Sequence, residues 1–384
     1  MIETVRYRLI PLTPVHIGTG ETAGPEEYFL HNNLLVRFRP AEVFSSWSGK
    51  QREEYEACLA AHNVNDALNR IRASACKLRS SHWYQCELGD SARSALMKRN
   101  AIAKPEQAEG EIRPLPRNPY TGSVVIPGSA IKGAFRTAAL NSLLASREDL
   151  CRQAKREVLR AGDAAARGDH SQARRLLEQL DQALQKALFR NGGGIERDPF
   201  RFLKVSDATP CRAPGQPTDR IDLAQVVWAD GAARQGPMMA VERLRSRADG
   251  DEAAFELEIS IDHGRMNHPH VGDPKKIGVP WPVDRAWLMQ TANFFFLTRF
   301  QEEQQRFPQY YPAKAASAAS PAQGGCLLRL GRHSHFESLS LEGARLAYNR
   351  QKKQWITQGS TRTVCELAGG GQSVFGWVLL EALP

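Results

Sequence analysis

Two cations, Lys132 and Arg136, stand four residues apart in a run with the composition of a helix. Side chains at this spacing share one helical face. The run follows Pro127 and Gly128, which end a short β-branched stretch, and Ser129 is predicted as the helix N-cap. A helix start presents unpaired N–H groups and the positive end of the helix dipole. The sequence therefore predicts an anion site that suits a phosphate.

This segment differs from the phosphate-binding loop of the nucleotide hydrolases. That motif requires G-x-x-x-x-G-K-[ST], whereas here Lys132 precedes Gly133 and no Ser or Thr follows. A Mg-nucleotide site is therefore not predicted. The local pattern also fits an ordinary capped helix whose Lys and Arg are solvated, and it does not separate this alternative from the anion site.

His16 is of a residue type that can serve an enzyme as general base. A nuclease also needs a second acid or base and a cation that stabilises the phosphorane, and Lys132 would supply the cation. The histidine is followed by Gly18 and Gly20, which permit positive φ and let a ligand approach the backbone closely. Asp207, directly after a predicted strand, is the other catalytic candidate, and we favour a structural role for it. We expect binding rather than catalysis at His16.

The C-terminal part of the chain is rich in cations and aromatic rings. Seven Lys and Arg stand against two acids between residues 329 and 362, with Tyr348 and Trp355 among them. Guanidinium groups and ring faces stack on unpaired bases, so this composition favours a surface for single-stranded RNA. A solvated helix face is the alternative.

The composition of the whole chain limits the class of partner. At 384 residues the chain carries a net charge of +9, which favours a polyanion over an acidic small molecule without separating RNA from DNA or an anionic membrane surface. Its seven cysteines include no C-x-x-C pair, which favours reduced thiols in a cytoplasm. No apolar run near twenty residues is present, so we expect no membrane-spanning segment, and we expect no membrane partner. We expect no metal or cofactor, since the His268 and His270 pair has no acidic or cysteine partner at helical spacing.

Five stretches carry a family resemblance. Residues 126–136 (IPGSAIKGAFR) and 12–20 (LTPVHIGTG) resemble the RAMP superfamily of CRISPR-associated RNA-binding proteins. Residues 202–207 (FLKVSD), 328–332 (LRLGR) and 376–381 (GWVLLE) resemble in particular the fifth Csm subunits of type III-A effector complexes. The stretches are spread over nearly the whole chain in the order that this family shows.

The resemblance implies an α+β fold, with one or two ferredoxin-like (RRM-like) units forming a RAMP core with helical insertions. Residues 1–40 and 113–146 would form the N-terminal core, 41–112 and 147–195 helical insertions, 196–312 the second part of the core, 313–325 a linker, and 326–384 a basic segment with the final strand. A loop at 263–282 would project as a thumb, with Lys275 and Lys276 touching the RNA backbone.

The function implied is that of a non-catalytic subunit that binds CRISPR RNA. It would cap the effector filament near the 3′ part of the guide, meet target RNA and the neighbouring Csm backbone subunit, and support guide maturation by attracting cellular ribonucleases. A guide-processing endoribonuclease of the same superfamily and a scaffold that touches only protein remain open. The predicted RNA contacts are His16, Gly18, Thr19, Gly20, Gly128, Ser129, Lys132, Arg136, Arg329, Arg332, Lys352 and Lys353.

Overall fold

The computed structural model of the chain describes residues 1–102, 110–212, 216–229, 238–251, 253–267, 279, 281–342, 344–349 and 354–384. Its strands are β1 (Ile2–Pro11), β2 (Tyr28–His31), β3 (Leu34–Phe38), β4 (His82–Leu88), β5 (Ile112–Arg113), β6 (Leu203–Val205), β7 (Thr209–Pro210), β8 (Asp219–Trp228), β9 (Met238–Leu244), β10 (Phe255–Asp262), β11 (Cys326–Arg329), β12 (Ala347–Asn349), β13 (Gln354–Ile356), β14 (Thr361–Glu366), β15 (Gln372–Val374) and β16 (Trp377–Ala382). Its helices are α1 (Pro40–Ser46), α2 (Gly49–Ala60), α3 (Val64–Lys77), α4 (Asp90–Ile102), α5 (Gly128–Ala145), α6 (Glu148–Ala166), α7 (His170–Arg190), α8 (His263–Asn267), α9 (Arg285–Arg306) and α10 (Ala313–Ala316).

The first sheet has the strand order β11-β16-β1-β10-β6, and all of these neighbours are antiparallel. In chain order, β1, α5, β6, β10, α9 and β16 form a βαββαβ unit whose strands take the spatial order fourth, first, third, second. This is a ferredoxin-like arrangement, to which β11 is added beside β16. The predicted α+β fold class is confirmed.

Helices α5 and α9 pack against each other and against the first sheet. Their buried faces repeat at helical spacing, with Ile131 and Phe135 on α5 and Phe296 and Phe300 on α9. Strand β10 alternates between buried apolar and less buried polar residues, as its sequence predicts. In the part of the chain that the structure describes, no helix is long and apolar enough to cross a bilayer.

The second sheet has the order β15-β14-β8-β4-β3-β2, and β9 pairs with β8 and with the short strand β5. Its pairs are antiparallel except β4 with β8 and β5 with β9. Among the described helices, none connects strands of this sheet in the βαββαβ order. Across the described ranges, the ferredoxin-like unit therefore occurs once.

Two of the predicted segments, 41–112 and 313–325, have more structure than their composition indicates. Residues 147–195 contain the paired helices α6 and α7, but 41–112 contribute β4 to the second sheet as well as α1 to α4. The predicted linker 313–325 contains α10, and Ala315 and Ala319 are buried in the core. Small side chains allow this close packing, and composition alone does not distinguish it from a linker. Most of the predicted thumb, including Lys275, Lys276, His268 and His270, lies outside the described residues.

A buried carboxylate joins the two sheets. Glu303 of α9 is 2% exposed and accepts hydrogen bonds from Arg329 of β11, in the first sheet, and Arg362 of β14, in the second. It also accepts from the Tyr311 hydroxyl and, at 3.2 Å, from the Trp377 indole N–H. Burial by itself raises the pKa of Glu303, but the two guanidinium groups lower it below its ordinary value. The carboxylate is therefore ionised and shared.

We predict that Glu303→Ala lowers the free energy of unfolding by about 3–5 kcal/mol, because it leaves two guanidinium groups buried without their anion. Urea denaturation of the full chain measures the change. The matched control is Glu178→Ala, which removes the exposed pair with Arg174 and costs about 1 kcal/mol at most. Equal losses for the two variants would contradict a structural role for Glu303.

Candidate nucleic-acid interface

The start of α5 is closed by a carboxylate from the loop after β6. The helix begins at Gly128 with Pro127 as its N-cap, so the prediction of Ser129 as N-cap is wrong. The Gly128 amide donates to Asp207 Oδ1 at 2.8 Å. A Cβ at Gly128 would overlap the carbonyl oxygen of Val205, so glycine is needed for close backbone packing. The Gly128 amide therefore binds a carboxylate of the protein where the sequence predicted a phosphate. Because Asp207 accepts this bond, it has a structural role at the start of α5.

The two cations on α5 are engaged in internal contacts. Lys132 Nζ donates to the carbonyl oxygen of Leu203 at 2.7 Å, and burial lowers the pKa of this lysine. The Arg136 guanidinium forms a two-point pair with Asp198, at 2.8 and 3.1 Å, and lies 4.1 Å from the ring centre of Phe189. Both side chains hold α5 against neighbouring elements. RNA contacts by Lys132 and Arg136 stay a prediction. They would require these internal bonds to be replaced by bonds to RNA.

Two loops meet at the opposite end of the first sheet, and we call residues 13–20 and 331–335 the loop junction. The Arg332 amide donates to the His16 carbonyl at 2.9 Å, and the Gly376 amide donates to the Pro14 carbonyl at 2.7 Å. Gly331 has φ of +93°, and a Cβ there would overlap the His16 carbonyl oxygen. Glycine is therefore required where the two loops touch.

The structure thus brings His16, Gly18, Thr19, Gly20 and Arg332 together and separates them from the α5 cations. Leu203, which binds Lys132, pairs with Ile261 near the start of β1, whereas the loop junction follows the end of β1. A ten-residue strand spans about 30 Å at roughly 3.3 Å per residue. The predicted contacts on α5 and those in the loop junction therefore lie at opposite ends of one sheet.

His16 is held at the base of the loop junction. It is 1% exposed, and its Nδ1 lies 2.7 Å from the carbonyl oxygen of Glu242 on β9. Because a carbonyl can only accept, Nδ1 carries the proton. The ring stacks on His333 with centres 5.7 Å apart. Burial lowers the pKa of His16 to about 4 and that of His333 to about 3. Both imidazoles are therefore neutral near pH 7.

Two arginines supply the positive charge of this region. Arg332 is exposed and Arg113 of β5 is half-buried, and both act on His16 by lowering its pKa after the larger effect of burial. Within the described ranges, neither guanidinium has a hydrogen bond or ion pair to another side chain. Gly18, Thr19 and Gly20 are exposed beside them, and Gly20 has φ of +89°. The geometry provides free cations next to accessible backbone, which suits a sugar-phosphate chain.

The comparisons with known proteins agree with this architecture. A family model described as the RAMP superfamily matches residues 8–321. The chain belongs to the RAMP superfamily.

Individual RAMP relatives share sequence or fold with this chain. It is 27% identical over 143 residues, 36% of its length, to the CRISPR system Cms protein Csm5 of Streptococcus thermophilus, and it spans only 38% of that relative. One chain of the cryo-EM structure of a Csm-crRNA-target RNA ternary complex of a type III-A CRISPR-Cas system superposes with a TM-score of 0.63, 19% identity, and coverage of 99% of this chain and 100% of that one. The crystal structure of T. onnurineus Csm5 superposes with a TM-score of 0.55 and 19% identity, and the match covers 97% of this chain and 99% of that one. The solved structures share the fold.

The basic C-terminal segment of this RAMP protein is partly internal. Arg329 is 3% exposed, binds Glu303 and lies 4.8 Å from the ring centre of Trp377. Arg362 is buried at the same carboxylate. Arg329 is therefore a structural residue in this conformation, which corrects its assignment to an RNA surface. Lys352 and Lys353 lie outside the described residues, and their RNA contact stays a prediction.

Arg113 is a candidate contact residue that the sequence did not indicate. In the sequence it is a single arginine followed by Pro114, in a stretch whose residues show no regular periodicity. Its position depends on the pairing of β5 with β9, which places Arg113 opposite Val241, next to the residue whose carbonyl holds His16. No local pattern reports such a long-range pairing.

We predict that acidification destabilises the protein through the stacked histidines. Their pKa values lie below the unfolded value of 6.5, so the stabilisation that depends on neutral rings is complete above pH 6.5 and is lost as the pH falls toward 4. The loss is on the order of 3 kcal/mol for each ring. His333→Phe should reduce this fall, as measured by urea denaturation at a series of pH values. Identical pH dependence in variant and parent would contradict the assignment.

Proposed function

We propose that this RAMP protein is a non-catalytic, CRISPR RNA-binding subunit of a cytoplasmic type III-A effector complex that serves antiviral defence. It caps the effector filament near the 3′ part of the guide, beside a neighbouring Csm backbone subunit, and target RNA lies against the guide. It supports guide maturation and attracts cellular ribonucleases to the exposed guide end. Membership in the RAMP superfamily and the similarity to Csm5 support this proposal.

The observation that carries the binding proposal is the loop junction. The Arg332 guanidinium lies close to exposed Gly18 and that of Arg113 lies close enough to His16 to lower its pKa, and neither guanidinium has a side-chain partner among the described residues. Backbone-level approach and charge are what phosphate binding requires. The backbone bonds between the two loops fix this geometry before RNA arrives, so little ordering entropy is lost on binding. Guide RNA is the polyanion that the family relationship makes the leading candidate.

The state of His16 supports binding over cleavage. A general base works best with a pKa near the working pH, and burial lowers the pKa of His16 to about 4. Its stacking partner His333 has a pKa lowered to about 3, so it is a poor general acid at pH 7. The predicted catalytic cation, Lys132, bonds to Leu203 at the other end of the sheet. Among the residues that the structure describes, His16, His333 and Lys132 do not form the set of catalytic groups that the endoribonuclease alternative requires at this junction.

We predict that replacing both arginines, Arg113→Gln with Arg332→Gln, weakens binding of single-stranded guide RNA by about tenfold or more at low salt. The slope of log K against log salt is negative, and each lost phosphate contact should make it less steep by about 0.7. Fluorescence anisotropy of the full chain with a labelled guide RNA measures both quantities. The control is Arg152→Gln with Arg174→Gln, which removes two exposed cations from α6 and α7. If only the control pair lowers the affinity, or neither does, the loop junction is not the RNA site.

We predict that the purified protein binds a labelled repeat RNA without cutting it in the absence of metal. Gel analysis after incubation near pH 7 checks this, with His16→Ala as the comparison. Site-specific cleavage that His16→Ala abolishes would instead establish the endoribonuclease. Absence of any RNA binding would favour the scaffold that touches only protein.

A further inference from the structure

Two buried polar atoms at the loop junction, His16 Nε2 and His333 Nε2, have no hydrogen-bond partner among the described residues, and the first of them lies beside Gly18. His16 Nε2 is buried and makes no hydrogen bond within the described part of the chain. Because Nδ1 carries the proton toward the Glu242 carbonyl, Nε2 of the neutral ring is a bare acceptor. An acceptor buried without a donor costs roughly 1–3 kcal/mol. A ligand that supplies a donor at this point would recover that cost.

The surroundings of this atom define which donor fits. A Cβ at Gly18 would lie 3.5 Å from His16 Nε2, 3.7 Å from Arg332 Cδ and 4.0 Å from Arg332 Nη1. Glycine therefore leaves a space about the size of a methyl group between the imidazole and the arginine. The Arg332 side chain borders that space and has no hydrogen bond or ion pair within the described part of the chain. Turning this exposed side chain toward an anion would open the path to Nε2.

We propose that His16 Nε2 accepts a hydrogen bond from a ribose 2′-hydroxyl, which enters the space beside Gly18 when Arg332 turns to a phosphate of the same strand. This inference rests on the proposed function and deepens it, because it gives the site a means of telling RNA from DNA. A phosphate diester carries no donor and cannot satisfy this nitrogen. A base N–H belongs to a ring edge that exceeds a methyl-sized space. A hydroxyl is both a donor and small enough.

The test compares two oligonucleotides of one sequence, RNA and its 2′-fluoro analogue. Fluorine keeps an RNA-like sugar but cannot donate a hydrogen bond. The parent protein should bind the 2′-fluoro strand about fivefold to tenfold more weakly, as expected for one lost hydrogen bond. Fluorescence anisotropy of the full chain measures the affinities.

Two variants locate the effect. Gly18→Ala fills the proposed hydroxyl space with a methyl group at ordinary contact distances and at a position without positive φ, so it should fold normally. It should bind both strands equally, with RNA affinity reduced to the parent's affinity for the 2′-fluoro strand. His16→Phe should do the same by removing the acceptor. The matched control is Gly369→Ala, at a glycine with no atom near its added Cβ, which should keep the parent preference.

The failure of this inference is distinguishable from the failure of the proposed function. Equal parent affinities for the two strands, or a preference that survives in Gly18→Ala, would overturn 2′-hydroxyl recognition at His16, while RNA binding that depends on Arg332 would still stand. Absence of RNA binding by the parent would overturn both.

Discussion

The Glu303 carboxylate holds two guanidinium groups in the dry interior where the two sheets meet. Arg329 reaches it from the end of β11, Arg362 from β14, and the Trp377 indole from the start of β16. Charges in such surroundings are stable only when their partners are in place. The interaction therefore fixes three strands relative to α9 in a single arrangement. It is the constraint on which the placement of the loop junction depends.

The loop junction is built on those strand ends. Arg329 is two residues before Gly331, and Trp377 follows Gly376, whose amide bonds to Pro14. Glu303 thereby positions residues 331–335 against the loop that leaves β1. The second sheet contributes β9, whose Glu242 carbonyl holds the His16 ring from below. The scaffold thus presents glycine-rich backbone and two arginines whose guanidinium groups have no side-chain partner among the described residues, an arrangement suited to contact with a sugar-phosphate strand.

Regular periodicities in the sequence were sufficient to predict much of this fold. The alternation in β10 and the apolar face of α5 each reflect burial against one neighbouring layer, which local sequence reports directly. Whether an individual cation is buried in an internal contact or exposed depends on partners that are distant in the sequence. Local periodicity therefore could not predict it. Lys132 bonds a carbonyl 71 residues later and Arg136 a carboxylate 62 residues later. Arg329 and Arg332, three residues apart, differ because the strand ends between them. One guanidinium is buried and the other is exposed.

The central claim is that guide RNA lies on the loop junction. Photo-crosslinking with a 4-thiouridine-substituted guide, followed by mass spectrometry of the crosslinked peptides, tests it most directly. The account predicts crosslinks in peptides that contain residues 13–20 and 331–335. Crosslinks confined to the α5 peptide with Lys132 and Arg136, with the loop junction unlabelled, would contradict it.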